Sequence, residues 1–104
     1  MSSHPDLAGK VVVVTGAGKG IGQAIAERFG AAGSSVVVND VDDSSARAVA
    51  NGIVDTGGTA MAAPADVSDG EQVAAMFDTV MSAHGTVDVL VNNAGLNRRA
   101  TVED

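Results

Sequence analysis

Four consecutive valines, Val11 to Val14, run directly into a glycine-rich stretch, and this junction constrains the fold more than any other part of the chain. A run of β-branched residues is typical of a strand that is buried on both faces, as in a parallel sheet covered by helices. Glycines let the backbone adopt a positive φ and approach a ligand closely. The first N–H groups of the following helix have no partner within that helix, so the junction favours binding of an anion.

The rest of the chain alternates strand-like and helix-like segments. Strands are predicted over 11–15, 35–39, 59–65 and 87–91, and helices over 20–32, from the caps at 42–44 to the glycines at 57–58, and from a capping box at 68–71 to 84–85. Strand–helix–strand units of this length, joined by right-handed crossovers, form a parallel sheet with helices on both faces. The predicted fold is therefore α/β, a Rossmann-like doubly wound parallel sheet with strand order 3-2-1-4.

Each predicted helix carries apolar residues at the spacing of a face that packs on a core. The first face has three such residues, and the second and third have five each: Ile21, Ile25, Phe29; Ala46, Val49, Ala50, Ile53, Val54; Val73, Met76, Phe77, Val80, Met81. In the capping box, the Ser68 hydroxyl and the Glu71 carboxylate are expected to satisfy backbone donors at the start of the third helix.

Composition excludes several classes of partner. The net charge is −7 and the only basic pair is Arg98-Arg99, so neither nucleic acid nor an anionic membrane is expected to bind. Without cysteine, and with His4 and His84 far apart, no metal site is expected. No apolar run reaches the roughly 20 residues that span a bilayer. Residues 1–6 form a polar lead-in without the features of a secretory signal, and a cytoplasmic location is expected.

Spaced landmarks follow each predicted strand. The first strand leads into T-G-x-x-x-G-I-G, in which Ile21 stands where G-x-G-x-x-G would have its third glycine. Asp40 follows the second strand, Asp66-Val67 the third, and Asn92-Asn93-Ala94-Gly95 the fourth. From Leu7 to about Asp104, these motifs in this order resemble the short-chain dehydrogenase/reductase family, specifically its N-terminal cofactor-binding half.

The resemblance implies a set of cofactor-binding residues, which all lie at the predicted carboxyl ends of the strands: Gly16, Gly18, Lys19, Gly20, Ile21, Gly22, Asp40, Asp66, Val67, Asn92, Ala94 and Gly95. In relatives, the first glycine makes the turn, the next residues face the pyrophosphate and nicotinamide side, and Gly22 lets the helix pack close to the sheet. Asp66-Val67 resembles the pair that recognises adenine. The Asn92–Gly95 segment implies a lining for the adenosine ribose and a tie within the sheet, a role for which asparagine suits both as donor and as acceptor.

The choice between NAD and NADP depends on opposing signals. Asp40 lies about 20 residues beyond the loop, where a carboxylate can accept hydrogen bonds from the ribose hydroxyls. With Asp42 and Asp43 close behind, it disfavours the 2′-phosphate of NADP. Lys19 favours NADP, because NADP-preferring relatives often carry a basic residue there. We weight Asp40 more and predict NAD. Asp40 and Asp66 could instead be ordinary helix caps.

Members of the resembled family use a tyrosine and a lysine in Tyr-x-x-x-Lys, with an upstream serine, all beyond the Asn-Asn-Ala-Gly segment; this sequence has no tyrosine. Residues 1–104 are therefore predicted to be one partial NAD(P)-binding domain, truncated after the fourth strand, with 96–104 beginning the missing half. It would belong to an oxidoreductase that transfers hydride between the nicotinamide and an alcohol or ketone, and be inactive alone. Alternatives are a non-catalytic NAD- or adenine-nucleotide-binding module, or an interaction partner of full-length relatives. A homo-oligomer is expected, because the fourth strand leaves an exposed edge.

Overall fold

The computed structural model describes residues 6–94 and contains four strands and three helices in strict alternation. The elements are β1 (Val11–Val14), α1 (Gly20–Ala31), β2 (Ser35–Asp40), α2 (Asp43–Asp55), β3 (Thr59–Pro64), α3 (Gly70–His84) and β4 (Val89–Val91). All strand pairs are parallel and the sheet order is β3-β2-β1-β4. The predicted doubly wound sheet with order 3-2-1-4 is confirmed. The predictions for residues 1–5 and for residues 95–104 lie outside the described residues.

Alternate valines of the central strands supply the cores on the two faces of the sheet. Val12 and Val14 of β1 pack with the buried residues of α1 and α2, whereas Val11 and Val13 belong to a second cluster with Met76 of α3. Because successive side chains of a strand point to opposite faces, one run of four valines serves both layers. The consequence is a three-layer arrangement in which the carboxyl ends of the strands share one edge.

Helix α1 lies closer to the sheet than its predicted apolar face implies. Its buried residues are Gly22, Ala26 and Gly30, while Ile25 and Phe29 pack at the margin of the core. Ile21 is 69% exposed, so its predicted place in the core is wrong. Small residues occupy the closest contacts: a Cβ on Gly22 would lie 2.2 Å from Gly16 O, and one on Gly30 would lie 2.7 Å from Ile53 Cγ2 of α2. The last predicted core residues of the other two helices, Val54 and Met81, are also exposed.

Two local predictions at element ends differ from the structure. Strand β4 begins at Val89 instead of Val87, because the Asp88 carboxylate accepts from Val11 N at 2.8 Å while Asp88 N donates to Val11 O at 2.9 Å. The Asp88 side chain thus replaces a backbone acceptor next to the ladder between β1 and β4. The cap of α3 is Asp69 and not Ser68: Asp69 Oδ1 accepts from the backbone N–H groups of Glu71 and Gln72, at 3.0 and 3.3 Å.

Over residues 6–94, every helix is too short or too polar to cross a membrane. In the same range, no three histidine or acidic side chains converge in a group that could hold a metal ion.

Candidate functional site

The glycine loop between β1 and α1 lies at the carboxyl ends of the strands and contains two residues with positive φ. Gly16 has φ +62° and Gly20 has φ +63°. A Cβ on Gly16 would lie 3.1 Å from the Cα of Ala94, so this residue is enclosed by the segment after β4. A Cβ on Gly20 would have no atom of the described residues within 4 Å, so Gly20 borders open space. The loop therefore has a packed beginning and an open end.

Three consecutive N–H groups at the beginning of the loop are all bonded to the end of β2. Gly16 N donates to Asn39 Oδ1 at 3.4 Å and Ala17 N donates to Asn39 O at 2.7 Å. Gly18 N donates to Asp40 Oδ2 at 2.9 Å. These donors are occupied inside the protein. The loop's capacity to bind an anion thus belongs to its second half, from Lys19 onward.

The start of α1 differs from the starts of the other two helices. Asp42 caps α2 and Asp69 caps α3, each through a side chain that accepts two backbone N–H groups. No side chain of residues 6–94 caps α1, whose N-cap is Lys19 and whose first turn holds no acidic residue. The orphan N–H groups and the positive end of the helix dipole at α1 are therefore left for an external anion.

Beside this helix start lies a cavity of about 460 Å³ that collects residues from all four strand ends. Six of the predicted site residues line it: Gly16, Lys19, Asp40, Asp66, Val67 and Ala94. Four others, at the loop and the helix start, do not line it: Gly18, Gly20, Ile21 and Gly22. Asn92 lines a neighbouring cavity of about 310 Å³ with Thr15, Val67 and Leu90. The cavity has the size and the polar lining of a small-molecule site.

Asp40 is held in place by the backbone on both of its carboxylate oxygens. It is 8% exposed, and Oδ1 accepts from Asp42 N at 3.0 Å while Oδ2 accepts from Gly18 N. Each oxygen of a carboxylate can accept a further hydrogen bond, so this arrangement orients the group toward the cavity without exhausting it. Since Asp42 is the cap of α2, the alternative that Asp40 is an ordinary cap is wrong.

Asp66 is likewise distinct from the cap of the helix that follows it. Its Oδ1 accepts from the backbone N–H and the hydroxyl of Ser68, at 2.9 and 2.6 Å, which forms a local turn. Its backbone N–H donates to Gln72 Oε1 at 2.9 Å. Capping of α3 is carried out by Asp69. The structure thus uses Asp42 and Asp69 as caps, and Asp40 and Asp66 line the cavity.

The segment after β4 is bonded to the end of β1 and to the loop. Thr15 Oγ1 donates to Asn92 Oδ1 at 3.3 Å and accepts from Ala94 N at 3.0 Å. The amide of Asn93, which is fully buried, donates to Gly16 O at 3.1 Å. A Cβ on Gly22 would lie 2.2 Å from that same carbonyl oxygen. The asparagine pair therefore joins two strand ends, as the sequence indicated for these residues.

Acidic side chains outnumber basic ones along the cavity. The hydroxyl of Ser44 and the backbone N–H of Ser45 donate to the Asp42 carboxylate and hold its pKa below the ordinary value. Asp42 is therefore ionised at neutral pH and lines the cavity beside Asp40. Lys19 is the single basic residue among those that line it.

Two residues of this region were not singled out from the sequence. Asn39 is buried and bonds to the loop, to β3 and to α3. The sequence could have indicated this residue, because a polar amide at the end of an otherwise apolar strand requires hydrogen-bond partners. Val41 is largely exposed and lines the cavity next to Asp40, and an exposed aliphatic residue directly after a strand is the corresponding signal.

Comparison with known proteins gives consistent matches. The chain is 51% identical over 94 residues to 3beta-hydroxysteroid dehydrogenase 1 of Eggerthella lenta, which covers 89% of this chain and 36% of the relative. A 7 alpha-hydroxysteroid dehydrogenase complexed with NADH and 7-oxo glycochenodeoxycholic acid superposes with a TM-score of 0.80 at 43% identity, over 83% of this chain and 34% of that one. A metagenomic short-chain oxidoreductase in complex with NADP gives a TM-score of 0.77 at 42% identity, over 86% and 39%.

The chain thus spans little more than a third of the length of these relatives, and the shared part carries the Rossmann-like nucleotide-binding region. The family model described as short chain dehydrogenase matches residues 10–104, which is nearly the whole sequence. The chain therefore belongs to the short-chain dehydrogenase family of NAD(P)-binding oxidoreductases.

Proposed function

We propose that residues 1–104 form one NAD-binding domain of an oxidoreductase that transfers hydride between the nicotinamide cofactor and an alcohol or ketone. One observation carries the proposal. Asp40 and Asp66 line a single cavity with Gly16 and Lys19 of the glycine loop, while Asp42 caps α2 and Asp69 caps α3. Two acidic side chains therefore line one cavity, and we assign them to the hydroxyl and amine donors of a bound cofactor.

The diphosphate of the cofactor fits the start of α1. Its N–H groups lack a side-chain cap from residues 6–94, and the open space beside Gly20 allows close approach of a phosphate. Lys19, at the N-cap, adds a positive charge that lines the cavity. We assign the backbone from Lys19 to Gly22 to the diphosphate and nicotinamide side. Gly16 and Gly18 are assigned to shaping the loop.

The adenosine end fits the carboxylate side of the cavity. We assign Asp40 to accept hydrogen bonds from the ribose hydroxyls and Asp66 to accept from the exocyclic amine of adenine; both line the cavity together with Val67. Val41 offers an exposed aliphatic surface next to the base. Asn92, Ala94 and Gly95 are assigned to the ribose side. The acidic side chains of Asp40 and Asp42, which line the same cavity, disfavour the charge of a 2′-phosphate, and this supports NAD over NADP.

The bound cofactor supplies the hydride chemistry, and the residues of this chain bind and orient it. General acid–base help is worth roughly 10²–10⁴-fold in such reactions. The sequence has no tyrosine for that role, so we expect no alcohol- or ketone-dependent turnover by the 104-residue chain in a nicotinamide absorbance assay. The same observation favours a second candidate, a nucleotide-binding module without chemistry of its own.

The proposal is tested by calorimetric titration of the chain with NAD, using two matched glycine variants. Gly20→Ala and Gly85→Ala both place a side chain at positive φ, +63° and +79°, and neither new Cβ meets an atom of residues 6–94 within 4 Å. Both therefore carry similar backbone strain. Only Gly20 lies at the proposed diphosphate site. We expect Gly20→Ala to weaken NAD binding about tenfold or more and Gly85→Ala to leave it unchanged. Equal affinities of the two variants, or no NAD binding by the unmodified chain, would contradict the proposal.

We also propose that the chain self-associates and resides in the cytoplasm. Strand β4 pairs with β1 along one side, and Leu90 at its centre is exposed, which favours pairing with a second chain. Sedimentation over a concentration series tests this, and a monomer at every concentration would contradict it.

The absence of cysteine agrees with a reducing compartment, and cell fractionation tests the location.

A further inference from the structure

We infer that Asn39 is a positioning residue that sets where the adenine-binding segment lies relative to the glycine loop, and thereby determines selectivity for the base. The inference rests on the proposed function. The side chain of Asn39 is a buried amide outside the set of residues that the family resemblance implies. Asn39 is 1% exposed, at the end of β2, directly before Asp40.

The amide nitrogen of Asn39 donates to two carbonyls of the chain that leads to Asp66. Nδ2 lies 2.9 Å from Ala63 O and 3.2 Å from Ala65 O. An amide has two N–H donors, so both carbonyls can be satisfied at once. The same nitrogen lies 3.4 Å from the sulfur of Met76 in α3. The end of β3 and the turn beyond it are thus bonded to a side chain of β2.

Ala65, the residue before Asp66, is fixed on both of its peptide groups. Its carbonyl accepts from Asn39, and its N–H donates to Asp40 O at 3.1 Å. The two neighbours on β2 therefore determine the position from which Asp66 and Val67 project into the cavity. A shift at Ala65 moves both of these residues.

The other side of Asn39 reaches the glycine loop. Oδ1 accepts from Gly16 N at 3.4 Å, and the backbone carbonyl accepts from Ala17 N at 2.7 Å. One residue therefore joins the beginning of the glycine loop, which is assigned to shaping that loop, with the part of the site assigned to adenine. Because a buried amide with satisfied partners is rigid, it fixes the spacing between the two parts.

The chemistry of the base gives a readout that separates positioning from stability. Adenine presents an exocyclic amine, which donates to a carboxylate, whereas hypoxanthine presents a carbonyl oxygen at the same place and cannot donate. A hydrogen bond to a charged group corresponds to about tenfold or more in affinity. If Asn39 positions Asp66, its loss lowers the preference for AMP over inosine monophosphate. A general loss of stability lowers both affinities together and leaves their ratio unchanged.

The experiment is calorimetric titration of AMP and inosine monophosphate into the unmodified chain, Asn39→Ala, Asn39→Ser and Ser34→Ala. Ser34 is a matched control, because it is a fully buried polar residue directly before the other end of β2, where its hydroxyl donates to Leu7 O at 2.8 Å. Asn39→Ser keeps one donor, which cannot reach both carbonyls, and it serves if the alanine variant does not fold. Thermal unfolding identifies the folded variants.

We expect the unmodified chain and Ser34→Ala to prefer AMP by about tenfold. Asn39→Ala is expected to reduce that preference to below about threefold, with Asn39→Ser between the two. An unchanged ratio in a folded Asn39 variant would overturn the inference and leave the proposed function intact. Absence of AMP binding by the unmodified chain would instead overturn the proposed function, and this inference with it.

Discussion

The Asp40 carboxylate accepts a hydrogen bond from the backbone N–H of Gly18 at 2.9 Å, so the acid proposed to select the cofactor also holds the glycine loop. The contact is tight: a Cβ on Gly18 would lie 2.8 Å from Asp40 Oδ2 and 2.7 Å from Ser45 Cβ. Gly18 has no positive φ, so the close approach of α2 and Asp40 explains its glycine. Cofactor selection and loop geometry are therefore linked through one side chain.

Replacing Asp40 is expected to change the preference between NAD and NADP without abolishing the binding of either cofactor. Asp40→Ala removes the bonds to the ribose, so NAD affinity falls by about tenfold, whereas NADP loses less because a negative charge near its phosphate also disappears. The ratio of NAD affinity to NADP affinity in titrations is therefore expected to fall, by at most about tenfold. Asp43→Ala is the matched control, since Asp43 is exposed and pairs with Arg47 at 2.9 Å. An unchanged ratio in Asp40→Ala would show that another group selects the cofactor.

Substitution by alanine is expected to destabilise the protein at Gly22 and to stabilise it at Gly52. In Gly22→Ala the new Cβ lies 2.2 Å from Gly16 O and 2.5 Å from Asn93 Nδ2, so the loop must move and the free energy of unfolding falls by about 3 kcal/mol or more. Gly52→Ala, within α2, meets no atom of residues 6–94 within 4 Å and should raise it by about 0.5–1 kcal/mol. Urea denaturation measures both. Similar stabilities of the two variants would mean that α1 does not approach the loop so closely.

The start of α3 should depend on Asp69 and hardly on Ser68. Asp69→Ala removes the acceptor for Glu71 N and Gln72 N and is expected to cost about 1 kcal/mol of stability. Ser68→Ala removes an exposed hydroxyl bonded to Asp66, and we expect a change within about 0.5 kcal/mol. Chemical denaturation of both variants decides between them. A larger cost for Ser68→Ala would restore the capping box that the sequence predicted.

The free energy of unfolding should depend on pH in the acidic range through the titration of Asp42. Its folded pKa is lowered from 3.8 mainly by the Ser44 hydroxyl, so the contribution is present above the unfolded pKa and is lost as the pH falls through the lower, folded value. Asp42→Asn keeps an acceptor oxygen at the cap and does not titrate. The difference in melting temperature between the two proteins should be constant near neutral pH and change only below about pH 4. A difference that is independent of pH down to pH 2 would contradict this account.

Much of the fold could be predicted because it depends on periodicity. The valine runs and the helical spacing of apolar residues placed all seven elements within two residues of their observed limits, and the strand order follows from crossover handedness. Even β3, which is rich in alanine, forms a strand, because β2 supplies a complete parallel neighbour. The exposure of Ile21 could not be read from spacing, since it depends on how closely α1 approaches the sheet.

The site was predictable at the level of landmarks and less so at the level of contacts. The resemblance of their order along the chain to that of the family identified Asp40, Asp66 and the glycine loop, and the structure brings both aspartates to one cavity with Gly16 and Lys19. The role of Asn39 was missed, because its partners, Ala63 and Ala65, lie more than twenty residues away and offer only backbone carbonyls. A sequence does not reveal which carbonyl a buried amide will meet.

The most direct test of the central claim is calorimetric titration of the unmodified chain with NAD and with NADP under the same conditions. Asp40, Asp42 and Lys19 line the same cavity, and we expect the two acidic residues to outweigh the lysine in selecting the cofactor. The predicted result is saturable binding of both cofactors with NAD bound more tightly, by about tenfold. Equal or tighter binding of NADP would contradict the assignment of Asp40 and make Lys19 the residue that selects the cofactor.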